Sequence, residues 1–506
     1  MTFPLSLDIR RIIPRWRSSR LAIATGELAL PVAHEKQLPY DFDFLLRKKI
    51  LWENNNQIEF AAELVSSALS LGIYSEAEKA AEFILENEQL ATTTVFAIAE
   101  ELLIRLGKKP SQNRLDSTPE VIQISVIQTQ IHNIKKSLIQ YPRNALLWVD
   151  LSQAYIILGQ LEQSRMAMLR AIYLEPDNRF VLRSATRLFI HLDDPERAYN
   201  LLNERTITKR DPWLLAAEIA TATVAGKTSK LIRQSKFLLE AKNYEPYHLA
   251  ELASALASIE LTNGASRKAR KLFQVSLISP TENSVAQSVW AKQWISSLEI
   301  DKAINNTPRT FEAQTWNAFL MLDWRHVVDA AKTWMADEPF SSRPAIFGSY
   351  AASIGLEDFD ESERFSRFGL IANPTDHTLI NNLAFSLAKQ GKIDEAHKLI
   401  SNINRPSPVL TTDIAIEATE GLIHFRKGEI VEGKAKYLNA IEVSRRNALP
   451  KLQALASMYF AQEMHSAEEW DEATAISFAE EASRKVSGPD ITTLLEKIKK
   501  IHENKQ

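Results

Sequence analysis

Prolines keep time along the middle of this chain. Pro142 and Pro176 lie 34 residues apart, and Pro212, Pro246 and Pro280 follow at steps of 36, 34 and 34. After a gap, Pro339, Pro374 and Pro408 follow at steps of 35 and 34. A proline gives a helix interior no N–H, and its ring clashes with the preceding turn. A breaker at this interval limits the chain to a succession of units, each long enough for two short helices. Glycine supports the same reading: 14 in 506 residues is too few for the turns of a strand-rich fold. The length alone would suggest about three compact domains, a prior that a repeat array sets aside.

The clearest unit is "ALLWVDLSQAYIILGQLEQSRMAMLRAIYLEPDN", residues 145–178. Trp148, Leu151, Tyr155 and Leu158 form one apolar face of a first helix. Gly159 stands where that helix must reverse. Met168, Ala171 and Ile172 give the inner face of a second helix, and Ser152 and Ser164 are small enough for the close crossing. These residues, with Pro176, resemble the tetratricopeptide repeat (TPR) family, whose pattern asks for Trp, Leu, small, Tyr, small, Phe, Ala and Pro. Leu383, Ala384, Leu387, Gly391, Ala396 and Ile400 repeat the phase, as do Gly421, Gly428, Gly433, Tyr437 and Ala440. An early unit carries Leu64, Val65, Ala68, Gly72, Ala77 and Ala81. The resemblance runs from about residue 58 to 445 and is closest in style to bacterial multi-repeat proteins. It implies an all-α solenoid of about ten to twelve antiparallel helix pairs.

The expected organisation has five parts. Residues 1–38 hold Pro4, Pro14 and Pro31 and no clean helical period, which predicts a short extended N-terminal arm. A helical block over 39–106 follows, then a polar linker, "GKKPSQNRLDSTP", at 107–119. The main solenoid occupies 120–488, with a shortened beat at 296–308 where it is expected to bend. An amphipathic helix after Pro489 caps the array over 489–506.

Composition and motifs exclude most chemistry. The formal net charge is −3, unlike a chain built to coat nucleic acid. There is no cysteine, so disulfides, thiol nucleophiles and Cys-zinc sites are out, and a reducing cytoplasm is the natural setting. No apolar run reaches the ~18 residues of a membrane span, and no small-residue cleavage site follows the N-terminal charges. No HExxH pair and no G-x-S-x-G elbow appears. Gly226-Lys227-Thr228 ends like a phosphate loop, but the earlier glycine position holds Thr221, and the triplet falls where an inter-helix turn belongs. We expect no enzyme, no cofactor and no metal. The basic run Arg267–Lys271 reads as a solvated face.

The expected role is that of a protein-binding scaffold or adaptor which positions or regulates a partner, for instance an operon-encoded effector enzyme. The TPR resemblance implies that partners lie in the groove of the first helices. By phase this places Val149, Gln153, Ile156 and Ile157 there, and Asn381, Phe385 and Lys389 in a later unit. The family's clamp for acidic chaperone tails would need Lys and Asn where Val149 and Gln153 stand, so the groove suits an amphipathic or extended segment instead. Five of the ten tryptophans crowd into 290–334: Trp290, Trp294, Trp316, Trp324 and Trp334. Core packing is the plainer reading of them, with Trp316 and Trp324 the candidates for a hot spot. "RRIIPRWRSSR", residues 10–20, brings five arginines and one tryptophan and no acid. Arg11, Arg15, Trp16 and Arg17 are therefore candidates for a partner or self-association tether. Three other readings stay open: a cap folded back on the first helices, a nucleic-acid arm, and a targeting segment.

Overall fold

The computed structural model describes residues 12–28, 39–109, 123–241, 244–403, 410–484 and 486–500. Arg11, residues 29–38 of the arm and most of the 107–119 linker lie outside these. The described residues form α-helices and a few short 3-10 or π turns, with no strand among them. From Ile58–Leu71 to Glu472–Ser483 most neighbouring helices pack against each other, among them Ala145–Ile157 with Leu161–Leu174 and Leu410–Arg426 with Ile430–Arg446, as the expected all-α solenoid requires. None of the described helices is long and apolar enough to cross a membrane.

The beat is real, but helix starts keep it better than prolines do. In two early units the proline ends the second helix, and an Asx residue two positions later caps the next first helix. Asn144 accepts from the amides of Leu146 and Leu147 at 3.0 and 3.2 Å, opening Ala145–Ile157. Asn178 does the same for Arg179–His191. At the next unit the proline moves inside: Asp211 caps, and Pro212 becomes the first residue of Pro212–Val224. A proline costs nothing there, because that N–H has no helical partner anyway. The step of 36 between Pro176 and Pro212 is thus a change of role, while the helices still begin at 145, 179 and 212.

Turns between partners need a left-handed residue. Gly159 supplies it at φ 69°. The unit without a glycine turns at "LDW", where Leu322 adopts φ 62° and Asp323 caps the following helix. Gly226 sits at φ 68° just past Pro212–Val224, so the loop-like triplet is an inter-helix turn. The expected close crossing is also present: Ser152 and Ser164 exchange hydroxyl–carbonyl bonds of 2.8 Å.

The chain divides into two compact units, one within Leu7–Ala313 and one within Gln314–Gln506. The division lies just beyond the shortened beat, inside the stretch expected as one solenoid. The first unit's core runs between its helix rows, for example Leu215, Ile219, Leu238, Leu252 and Leu256. In the second, Ala345, Ile346 and Leu379 form one cluster and Ile414, Ala440 and Ala456 another. Its last helix, Pro489–Lys500, buries Ile491, Leu494 and Ile498. Asp490 at its start is fully buried, accepting from the Tyr350 hydroxyl at 2.7 Å and pairing with Lys451 at 2.9 Å. The Trp324 indole donates to the Thr493 hydroxyl at 3.0 Å.

Candidate functional site

The arm decides where the site is. From Pro14 through Ser18 the chain forms no helix, and Ser18, with extended dihedrals, caps the short helix Ser19–Ala24. An extended backbone leaves its N–H and C=O groups without partners in its own segment, so a buried one must find them elsewhere. Here they come from two first helices, Ala145–Ile157 and Pro246–Thr262. The Gln153 amide donates to the Trp16 carbonyl at 2.8 Å. Asp150 accepts the Ser19 N–H at 2.7 Å and its hydroxyl at 2.5 Å. The Tyr247 hydroxyl donates to the Thr25 carbonyl at 3.0 Å.

Charge follows the same route. Arg15 pairs with Glu312 and Arg17 with Glu282, the latter at 3.0 Å. Glu27 lies in the field of Arg183 and Arg17, with Glu251 and Glu282 opposing them. Arg183 meets Glu251 at 3.0 Å and lies 4.3 Å over the Trp213 ring. Trp213 also receives Arg179, which pairs with Asp211 at 2.5 Å. The apolar arm residues Ile12, Ile13, Ile23 and Leu28 are buried, and Trp16 is only 1% exposed. Burying one such side chain contributes about 1.5–3 kcal/mol. Removing one partner of a buried ion pair typically costs about 3–5 kcal/mol, because the other charge stays buried. Residues 12–28 are therefore packed against the first helices of the 7–313 unit, not spread over its surface.

Burial shifts one acid that holds the arm and one acid of the arm itself. It raises the Asp150 carboxyl to about 6, against the lowering effect of its two Ser19 hydrogen bonds. It also raises Glu27, although Arg183 and Arg17 pull the other way. Nearby, burial drives His248 down to about 4, which keeps the ring neutral at pH 7. A cleft of about 620 Å³ flanks the arm and is lined by hydroxyls and amides such as Thr92, Thr129 and Asn133. Asp150, the buried charge at its edge, is already satisfied by Ser19. No cluster able to hold a metal occurs among the described residues.

The sequence candidates divide clearly. Arg15, Trp16, Arg17 and Gln153 come together as one site. Val149 and Ile156 are fully buried on the same helix, inside the packing and not on an open groove wall. Asn381 and Phe385 are buried too, the Phe385 ring packing on Tyr459 at 5.3 Å. Of the five clustered tryptophans only Trp294, at 50%, is substantially exposed. The reading of Trp316 and Trp324 as an exposed hot spot needs correcting. Trp316 packs on Phe347 at 4.8 Å and Trp324 on Phe319 at 5.5 Å, because rings this large are worth most inside. The basic run at 267–271 is solvated as expected, with only Ala269 turned inward. Sequence reasoning missed Asp150, Glu251, Glu282 and Glu312. Their signal was available in part: Asp150 in "LLWVDLS" and Glu251 in "HLAELAS" are lone acids in runs of apolar and small residues.

No family model matches this chain, and no curated protein matches it. Among solved structures it is similar to yeast Tom70, at 14% identity and a TM-score of 0.32, over 92% of this chain and 96% of that one. It is also similar to the APC/C hetero-tetramer Cut9–Hcn1, at 10% identity and a TM-score of 0.39, over 90% of this chain and 92% of that one. The function proposed for this chain rests on its own residues.

Proposed function

We propose that this protein is a non-enzymatic helical-repeat scaffold that binds protein partners by holding polypeptide segments along its first helices. One observation carries the reading. The inner face of the 7–313 unit already grips an extended segment, meeting its backbone through Gln153, Asp150 and Tyr247 and its charges through Glu282 and Glu312. These are the contacts of peptide recognition: main-chain bonds for grip and side-chain slots for choice. The alternative, nucleic acid held by the arginine arm, draws on the same two arginines that these acids neutralise. A partner enzyme encoded nearby, positioned or regulated by the array, is the finer form of the proposal.

Reciprocal affinity purification of the full chain from its native host tests it, read by quantitative mass spectrometry and absorbance. A stoichiometric protein partner that survives nuclease treatment is the expected result. Recovery of the chain alone, or with nucleic acid whose loss removes every partner, overturns the proposal.

A further inference from the structure

Three acids of the 7–313 unit meet the arm on the first helices. Asp150, Glu282 and Glu312 stand on three different first helices, and all three are largely or wholly buried. Each is met by an arm group: Ser19, Arg17 and Arg15. Glu251 differs, because Arg183 on another helix of the array pairs with it directly. Buried carboxylates are costly unless a partner neutralises or bonds them. The face is thus built around a cationic occupant. Residues 15–19 supply one compactly: two guanidinium groups, an indole between them, and a helix start.

We infer that the arm is an internal ligand, and that this face takes a partner segment of the same chemistry in its place. The segment is extended, carries an aromatic side chain between two cations, and runs into a Ser-capped helix. This rests on the protein-scaffold reading above. Charge complementarity selects the occupant. With the arm withdrawn, Glu282 and Glu312 are left without Arg17 and Arg15, which repels acidic tails and phosphate backbones and attracts arginine. The slot filled by Trp16 selects a large ring, and Gln153 and Tyr247 read main-chain carbonyls that any extended segment carries. The arm also sets a threshold. A tethered competitor counts as roughly millimolar, so a free segment at micromolar levels is suppressed by about a hundredfold or more until the arm loosens.

The test titrates a fluorescent peptide of residues 12–24, IIPRWRSSRLAIA, into the full chain and reads anisotropy. The wild type is compared with the R15E/R17E variant, whose own arm meets Glu312 and Glu282 with like charge. The expected result is binding at least ~10-fold tighter to the variant than to the wild type. Adding E282Q and E312Q is expected to remove most of that gain, and a peptide with both arginines changed to glutamate is expected not to bind. Equal peptide binding by wild type and variant, with the same helical circular dichroism, overturns the inference. If R15E/R17E does not fold, a second form decides: the full chain with a protease sequence replacing residues 31–36, cut after purification. Exchange of the cut arm for labelled peptide with helicity retained supports the inference. A cut arm that cannot be exchanged, or a unit that unfolds as it leaves, shows a permanent core element and overturns it. Arm exchange between two copies, seen as a dimer, overturns the assignment to a partner. A protein partner that never competes with the peptide leaves the scaffold reading standing and removes this one.

Discussion

Residues 12–28 in one unit and Pro489–Lys500 in the other are both terminal segments packed against helix pairs, yet different chemistry holds them. The C-terminal helix satisfies its own backbone, so an apolar stripe of Ile491, Leu494 and Ile498 is enough to seat it, with Asp490 and Thr493 as polar pins. The arm is mostly not helical, and its carbonyls and amides must be met by side chains from outside. That is why Gln153, Asp150 and Tyr247 sit where a purely apolar face would pack more simply. A segment that brings its own hydrogen bonds can be held by shape and area. One that does not needs a reader, and a reader can be selective.

The difference can be tested from its largest consequence downward. Arg15→Ala removes the buried ion pair with Glu312 and is expected to cost about 3–5 kcal/mol. Trp16→Ala is expected to cost a similar amount through the cavity it leaves. Calorimetry of the full chain should show the loss in the transition of the 7–313 unit alone. A uniform shift of all transitions would mean the two segments do not belong to separate cooperative units.

Next comes pH. The Asp150 carboxyl is raised in the folded chain from an ordinary 3.8 to about 6 by burial. Between those values the folded state holds a proton that the unfolded state has released, so stability falls as pH rises through that window and levels off above it. The difference is worth roughly 3 kcal/mol. Asp150→Asn is expected to flatten the slope between pH 4 and 6 in denaturant midpoints. An unchanged slope would place the proton elsewhere, Glu27 being the other raised acid on the arm's path.

The second unit is probed by shape and not by charge. A side chain at Gly355 would overlap the Trp324 ring that bonds to the last helix. Gly355→Ala is therefore expected to cost about 1–3 kcal/mol in the 314–506 unit, read as a lowered melting transition with the other unmoved. Smallest is Thr493→Val, which removes the acceptor of the Trp324 indole and is expected to cost about 1 kcal/mol. A loss as large as that of Arg15→Ala would show that polar pins, and not apolar area, hold the last helix.

Much of the fold was legible because helix breakers and caps act locally. The 34-residue beat, the small-residue crossing at Ser152 and Ser164 and the "LDW" turn all depend on a few neighbouring residues. The site was only half legible. Arg15, Trp16 and Arg17 stood out by type. Their acids did not, because Glu282 and Glu312 fall in first turns, where an acid is expected for the helix dipole alone. The groove candidates are of another kind: Val149, Ile156, Asn381 and Phe385 follow the phase of a groove and are buried in the folded chain.

Arg15 and Glu312 are 297 positions apart, and synthesis turns that distance into time. At about 5–20 residues per second, the arm waits on the order of 15–60 seconds for the last acid that holds it. Throughout that interval Arg15 is made but the acid it pairs with is not. The C-terminal helix has no such wait, since Tyr350 and Trp324 already exist when it leaves the ribosome. Whatever meets this protein while it is being made therefore meets the 7–313 unit before the last of the arm's contacts has formed.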